Sequence, residues 1–471
     1  MHILLVADML ASRNFQPLSL EYLSSSLRAS GHTVRLADAS VPTAVARTVA
    51  SFQPGFIGFS ATTGLHRALL AINRALKKDF RFFSVFGGPH ATMHPQMLND
   101  PDVDAICLGE GEEAIVELAG RLAAGRNPSG VRNIWFKTAG GIGRNPLRPL
   151  VRDLERLPRP DWGLVDEFPY CREFPVKVFI TARGCPFACA FCQLTAYRKL
   201  YPNESFFRRR RPADVVAEIE EFRRARLLSF VFLFDDTFGV DPDWLADFCE
   251  QYGARIRVPY CVQLRADLVT DDALRRLAKS GLAQACFGLE SGIERLRFQL
   301  LRKRISDVQI LEAARIIKRH GVKLMTYSML GLPGTSLSDD VATLKLNWQV
   351  KADFSDATMF QPYPKIPLAD EAVRLGVYSG DPDAIPRSLK RAGPILLSDK
   401  DQRVRLMYLF PILAAHPASD RVIQALLALP LAPLYRIVLR TYEGLVRVFR
   451  VYRVSISIRV LLKIYWRYVR F

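Results

Sequence analysis

The stretch Gly184-Cys185-Pro186-Phe187-Ala188-Cys189-Ala190-Phe191-Cys192 follows an apolar run at residues 176–181 and puts three thiols on one short loop. A cubane iron-sulfur cluster takes one thiolate per iron, so three cysteines leave the fourth iron without a protein ligand. An open metal position marks a catalytic rather than a structural centre. Two other readings of the same residues stay open. A structural zinc needs a fourth ligand, and all seven histidines lie at or before His94 or at or after His320, so only the fold can bring one close. Cys189 and Cys192 also form a Cys-x-x-Cys, the pattern of a thiol-disulfide pair, which leaves Cys185 without a task.

Working outward, strand-like runs recur at 176–181, 229–234, 260–264, 283–289, 323–330 and 357–362, separated by helical patterns. Six strand-helix units predict a partial (β/α)6 barrel over residues 173–370, with its site at the C-terminal strand ends, where the cysteine loop falls. Residues 1–140 alternate runs at 3–7, 33–38, 56–60, 82–86 and 105–108 with helical spacing at 18–29 and 66–77. That pattern predicts an α/β domain built on a doubly wound parallel sheet. Pro146, Pro149, Pro158 and Pro160 place a linker at 141–172. Residues 371–471 read as mostly helical.

The chain has 471 residues, 49% of them hydrophobic and 24% charged, enough to bury cores in more than one domain. Eight cysteines, three tightly spaced, suit a reducing compartment and a metal site better than a disulfide framework. The start, MHILLVAD, lacks the pattern of a signal peptide and reads as a buried strand, so a cytoplasmic location is expected. No run of 18 uncharged apolar residues is present, and a spanning helix is not expected.

The Cys-x3-Cys-x2-Cys spacing with Phe191 before the last cysteine resembles the radical S-adenosylmethionine superfamily. The resemblance implies a 4Fe-4S cluster on Cys185, Cys189 and Cys192 and S-adenosyl-L-methionine chelating the open iron. Reductive cleavage then gives a 5'-deoxyadenosyl radical that takes hydrogen from a small-molecule substrate, with a flavodoxin or ferredoxin as reductant. It also implies that Phe191 packs near the adenine and that Arg265 meets the methionine carboxylate. Glu290, in Gly288-Leu-Glu-Ser-Gly292, is placed like the acidic residue near the ribose or amino group, and Gly331-Leu-Pro-Gly334 like the turn lying against the adenine. Read as bare residues, Arg265 and Glu290 also suit surface ion pairs, and Gly331 and Gly334 simple turn positions. Asp235 and Asp236 contact a ligand or cap the next helix.

In a doubly wound sheet ligands bind beyond the strand C-termini. The loops there are Ser60-Ala61-Thr62-Thr63-Gly64, Gly87-Gly88-Pro89-His90 and Gly109-Glu110-Gly111-Glu112, whose glycines and hydroxyls suit a large polar ligand. Together with Pro17-Leu-Ser-Leu-Glu-Tyr-Leu23, they resemble the cobalamin-binding domain found ahead of many radical enzymes. The histidine motif Asp-x-His-x-x-Gly is missing: Asp8-Met9-Leu10 stands there, leaving the lower cobalt ligand unassigned. His66 and His90 lie near these loops, with either a ligand-facing or a structural role. With both cofactors, the resemblance implies methyl transfer from methylcobalamin to a substrate radical, and relatives that cyclise or oxidise instead are the alternative. A noncatalytic iron-sulfur or cobalamin-binding regulator is the rival of another class.

The net charge of +18 is uneven, since from Arg436 onward nine basic residues face Glu443 alone. Arg436, Arg440, Arg447 and Arg450 share one helical stripe of about 80°, and Arg459, Lys463, Arg467 and Arg470 form a second. With Tyr452, Tyr465, Trp466, Tyr468 and Phe471 this suits peripheral attachment to an anionic membrane surface on its inner face, and so a lipid-like substrate. A solvated basic face is the plainer alternative. Nucleic acid is disfavoured, because no recognised binding module accompanies the charge. The run Arg208 to Arg211 faces either solvent or an acidic substrate group.

Overall fold

The computed structural model describes residues 1–9 and 16–446, so the second basic stripe and the tail from Arg447 lie outside the described residues. The chain forms two compact units, one of Met1–Glu173 with Tyr197–Phe206, the other of Phe174–Ala196 with the chain from Phe207 onward.

The first unit is an α/β domain. Its strands are β1 (His2–Ala7), β2 (Thr33–Asp38), β3 (Phe56–Ser60), β4 (Phe83–Gly87), β5 (Ala105–Cys107), β6 (Ile134–Thr138) and β7 (Gly141–Arg144), in sheet order β2-β1-β3-β4-β5-β6-β7. Strands β1 to β5 are parallel, as the alternation of apolar runs predicts. Ile3 to Val6 are buried on both faces, which is what a central parallel strand requires. Helices α1 (Leu18–Ala29), α2 (Pro42–Phe52), α3 (His66–Asp79), α4 (Pro89–Met93) and α5 (Glu112–Ala123) connect them, and α6 (Pro169–Glu173) follows later. The sequence reading stopped at five strands; β6 and β7 add an antiparallel hairpin on the edge of the sheet. Most of β7 is exposed, so it carries no apolar signal, and it occupies the first residues of the segment read as a linker.

The second unit holds β8 (Val176–Phe179), a small antiparallel pair β9 (Ala182–Arg183) and β10 (Arg208–Arg209), then β11 (Phe230–Leu233), β12 (Tyr260–Leu264), β13 (Leu282–Glu290), β14 (Lys323–Leu330) and β15 (Phe354–Met359). Six of these pair in parallel in chain order, β8-β11-β12-β13-β14-β15, the open barrel sheet expected from six strand-helix units. The last strand begins three residues before the expected 357. Its leading Ser355 and Asp356 are polar yet buried, because Thr326 and Lys390 bond to them.

The helices that follow are α7 (Gln193–Arg198), α8 (Pro212–Ala225), α9 (Pro242–Arg255), α10 (Asp271–Ser280), α11 (Glu294–Gln299), α12 (Asp307–Arg319), α13 (Leu337–Val350) and α14 (Pro367–Arg374). The C-terminal region is helical as expected, with α15 (Lys400–Ala415), α16 (Asp420–Ala428) and α17 (Ala432–Val446). It shares one core with the barrel edge, where Leu330 and Met359 meet Leu406, Phe410, Leu427 and Tyr435. Full burial of Leu406 or Phe410 contributes about 1.5–3 kcal/mol each, so these helices are integral to the unit.

Candidate functional site

The cysteine loop leaves β8 through Gly184, whose φ of +81° is left-handed. Two buried carboxylates shape the approach to it. Asp235 accepts from Thr181 N (2.6 Å), Thr181 Oγ1 (2.6 Å) and Ala182 N (3.0 Å), and Asp236 accepts from the backbone of Gly184. Burial pushes both carboxyls up to about 6. Neither caps the next helix; Asp241 does that for α9. The middle of the loop is pinned on both sides, Ala190 N donating to Leu301 O (2.8 Å) and Ala190 O accepting from Leu368 N (3.0 Å).

Cys185 and Cys189 are buried and Cys192 is half-buried, and none of the three is in a disulfide. Burial above all, with Asp236, Cys189 and Cys185 adding to it against a backbone bond from Leu194, pushes the Cys192 thiol up to about 12. Cys185 Sγ lies 3.2 Å from Thr237 Oγ1. Among the described residues no three Cys, His, Asp or Glu side chains converge on one point. The donor chemistry fits a cubane, which needs three soft thiolates on three separate irons.

Arg265, at the end of β12, donates to Cys189 Sγ (3.5 Å) and lies over the Phe187 ring, 3.6 Å from its centroid. Asp267 grips the guanidinium by two bonds of 3.0 and 2.9 Å, fixing its plane. Glu290, closing β13, adopts φ +66° and pairs with buried Lys303 at 2.8 Å. Lys303 also donates to Gly288 O (2.7 Å). The Cys189 thiol is raised by burial, drawn down by Lys303 and Arg265 and raised by Glu290, so these three charges act on one sulfur. Phe191 sits half-buried on the loop. Gly331 and Gly334 lie beyond β14, both left-handed at φ +68° and +71°. Gly331 N donates to Asp340 (3.1 and 3.3 Å), and Arg403 of α15 bonds to Asp340, Asp399 and Thr335 beneath that turn.

Cys189, Arg265 and Glu290 are thus brought together, while Gly331 and Gly334 stand one strand further along. Sequence reasoning missed Phe187, Thr237, Asp267, Lys303 and Arg403. Lys303 sits in the basic run Leu301-Arg-Lys-Arg304 and Arg403 in a polar helix turn, where nothing sets a buried cation apart from solvated ones. The run Arg208 to Arg211 is split: Arg208 and Arg210 are buried, Arg210 pairing with buried Glu218, whereas Arg209 and Arg211 are exposed and pair with Asp241 and Asp214.

In the first unit the three candidate loops meet at one end of the sheet. Ala61 N donates to Gly87 O (2.8 Å) and His90 N to Ala61 O (3.0 Å), and a side chain at Gly88 would meet Ala61 O at 2.9 Å. Thr62 O accepts from Leu65 and His66 N, and Thr63 Oγ1 lies 3.0 Å from His90 Nδ1. The His66 and His90 rings stack at 3.7 Å, both buried, so these histidines pack on each other. Gly109 N donates to Thr92 Oγ1 (3.1 Å), while Glu110 accepts from Val151 N (3.0 Å). Ser60 closes β3, half-buried at the loop's start.

The B12 binding domain family matches residues 11–119, and the Radical SAM superfamily matches residues 179–346. An uncharacterized methyltransferase of Pyrococcus horikoshii is 27% identical over 369 residues, 76% of this chain and 78% of that protein. The anaerobic magnesium-protoporphyrin IX monomethyl ester cyclase of Rubrivivax gelatinosus is 28% identical over 76% of this chain and 66% of its own length. The radical S-adenosylmethionine methyltransferase TsrM of Kitasatospora setae, solved with tryptophan and an S-adenosylmethionine analogue, superposes with a TM-score of 0.65 at 18% identity. The match covers 79% of this chain and 76% of that one, a likeness of fold.

Proposed function

The chain is a radical S-adenosylmethionine enzyme with a B12-binding domain ahead of its catalytic domain, and from that premise we propose that it methylates an unactivated carbon of a nonpolar or lipid-like substrate. The observation that carries the reading is the set around Cys189: three thiols on a pinned loop, with Arg265 and the Glu290–Lys303 pair beside them. When bound, a 4Fe-4S cluster with S-adenosyl-L-methionine supplies a carbon radical, and cobalamin supplies a methyl group.

Cys185, Cys189 and Cys192 hold the cluster. Arg265, its plane fixed by Asp267, receives the methionine carboxylate as a two-pronged donor. Glu290, oriented by Lys303, accepts from the ribose or amino group. Phe191 and the Gly331–Gly334 turn flank the adenine, the turn's left-handed glycines letting backbone approach the ring. Ser60, Thr62, Thr63, Gly87, Gly88, His90, Gly109 and Glu110 form the cobalamin cradle, where interlocked loops present small residues and hydroxyls. A flavodoxin or ferredoxin delivers the electron, and the basic C-terminus brings the enzyme to the inner face of an anionic membrane.

A cyclase reading without methyl transfer is favoured by the Rubrivivax relative. Anaerobic reconstitution with iron, sulfide and cobalamin, followed by reduction in the presence of S-adenosyl-L-methionine, tests the proposal. Retained cobalamin with both 5'-deoxyadenosine and S-adenosylhomocysteine is the expected result. Deoxyadenosine alone turns the reading toward cyclisation or oxidation, and a chain that retains no cluster overturns it.

A further inference from the structure

The last two described helices form an elbow that the fold uses on one side only. α16 and α17 meet at 116° across the run Leu427-Ala-Leu-Pro-Leu-Ala-Pro-Leu434, and together they have the length and apolarity of a membrane segment. Among the described residues no single helix is long and apolar enough to cross a membrane. The inner side chains Ile423, Leu427, Tyr435 and Leu439 are buried in the core shared with β14 and β15. The outer ones are Leu429 (45% exposed), Leu431 (38%), Leu434 (50%), Ile437 (59%) and Val438 (37%), five large apolar groups gathered at one bend. A cluster of this kind marks a docking site.

The elbow is held in shape. Tyr435 Oη donates to Leu426 O (3.0 Å), Leu431 N to Leu429 O (2.8 Å), and Arg405 reaches from α15 to Leu427 O. Along the two helices Arg421, Arg436 and Arg440 outnumber Asp420 and Glu443, which pair with Lys345 and Lys390. At about 100° per residue, Arg436 and Arg440 border the exposed stripe of Leu434, Ile437 and Val438 on one side only, with Arg440 about 60° from Ile437 and the centres of the two stripes about 130° apart. Burial and then Arg436 weaken the Arg440 guanidinium and Arg391 adds to this, while Tyr408 and Glu443 act the other way. Beyond residue 446 the sequence adds seven basic residues and no acid. An apolar bend flanked by arginines is the complement of an anionic bilayer interface, where leucines enter the acyl boundary and guanidiniums meet phosphates.

We propose that the α16–α17 elbow is a lipid-docking surface, with Leu429, Leu431, Leu434, Ile437 and Val438 dipping into an anionic bilayer and Arg391, Arg436 and Arg440 meeting its phosphates. This rests on the peripheral attachment proposed above and moves the anchoring contact from the tail onto the folded unit.

The test uses the full chain with vesicles of phosphatidylglycerol and phosphatidylcholine, and with vesicles of phosphatidylcholine alone. Flotation of the intact chain with the anionic vesicles is expected, and a Leu434→Glu/Ile437→Glu double variant should partition about ten-fold more weakly. Both positions are exposed, and an unchanged circular dichroism melt shows that the variant still folds. In a separate Leu431→Trp variant, brominated lipids should quench the added indole. Equal flotation of the double variant together with an unquenched indole in the Leu431→Trp variant would leave membrane attachment standing and overturn the elbow. An intact chain that floats with neither vesicle would overturn both. Loss of self-association in the double variant, with flotation intact, would assign the elbow to a second copy and overturn the lipid proposal.

Discussion

Replacing Arg403 with methionine should unsettle the barrel's far edge more than any single apolar truncation there. The guanidinium is 1% exposed and spends its donors on Asp399 Oδ1 (2.7 Å), Thr335 Oγ1 (3.1 Å), Asp340 Oδ2 (3.2 Å) and Thr335 O. Methionine keeps much of the volume, so the loss is electrostatic. Asp340, 4% exposed, would keep only the Gly331 N–H, whereas Asp399 is 21% exposed and still meets water. Removing one partner of a buried pair costs about 3–5 kcal/mol, because the other charge stays behind. Lysine keeps the charge without the fork and should recover part of it. Burial raises the Asp340 carboxyl and Arg403 draws it down, so the variant raises it further. A carboxyl raised above its unfolded value of about 3.9 binds its proton more tightly when folded, so stability falls as pH climbs from about 4 toward the folded value. Burial already raises the native Asp340 to about 7, so both chains lose stability alike up to that value, and the gap between them should open above about pH 7, where only the variant still holds the proton. Urea unfolding followed by fluorescence reads it, with Trp348 beside α15 as reporter. A loss under about 1 kcal/mol at about pH 9 with an unchanged slope, or a gap that widens in acid, would refute the reasoning.

Lys303→Met should cost about 3–5 kcal/mol by stranding Glu290, and adding Glu290→Gln should restore much of it; the urea midpoints of the single and double variants check this. Gly109→Ala places a methyl 2.1 Å from Tyr201 Oη at φ +70°, so a loss of about 1–3 kcal/mol is expected, relieved in part by Tyr201→Ala in thermal melts. Cys189→Ala should leave a folded chain that retains no stable cluster after reconstitution, read as iron and sulfide content per chain.

How far the sequence was legible follows a physical rule. Strands β1 to β5 and the barrel order were readable because parallel strands buried on both faces are continuous apolar runs. The cysteine loop was readable because its three cysteines lie within eight residues of one another in the chain. The β6–β7 hairpin escaped because β7 faces water, and the start of β15 escaped because Ser355 and Asp356 are buried by bonds made far away in the chain. The same holds at the site: Arg265 and Glu290 stood out at strand ends, whereas Lys303 and Arg403 matter through partners 13 and 63 residues away. Arg208 to Arg211 looked like one charged patch, but each of the last three is answered by its own carboxylate.

The backbone bonds at Ala190 reach further than local geometry. Leu301 and Leu368 hold the cysteine loop from both sides with amide and carbonyl groups that need no metal. Small zinc domains fold only as they load; here two backbone bonds set the path of the loop, although its three thiols do not converge on one point.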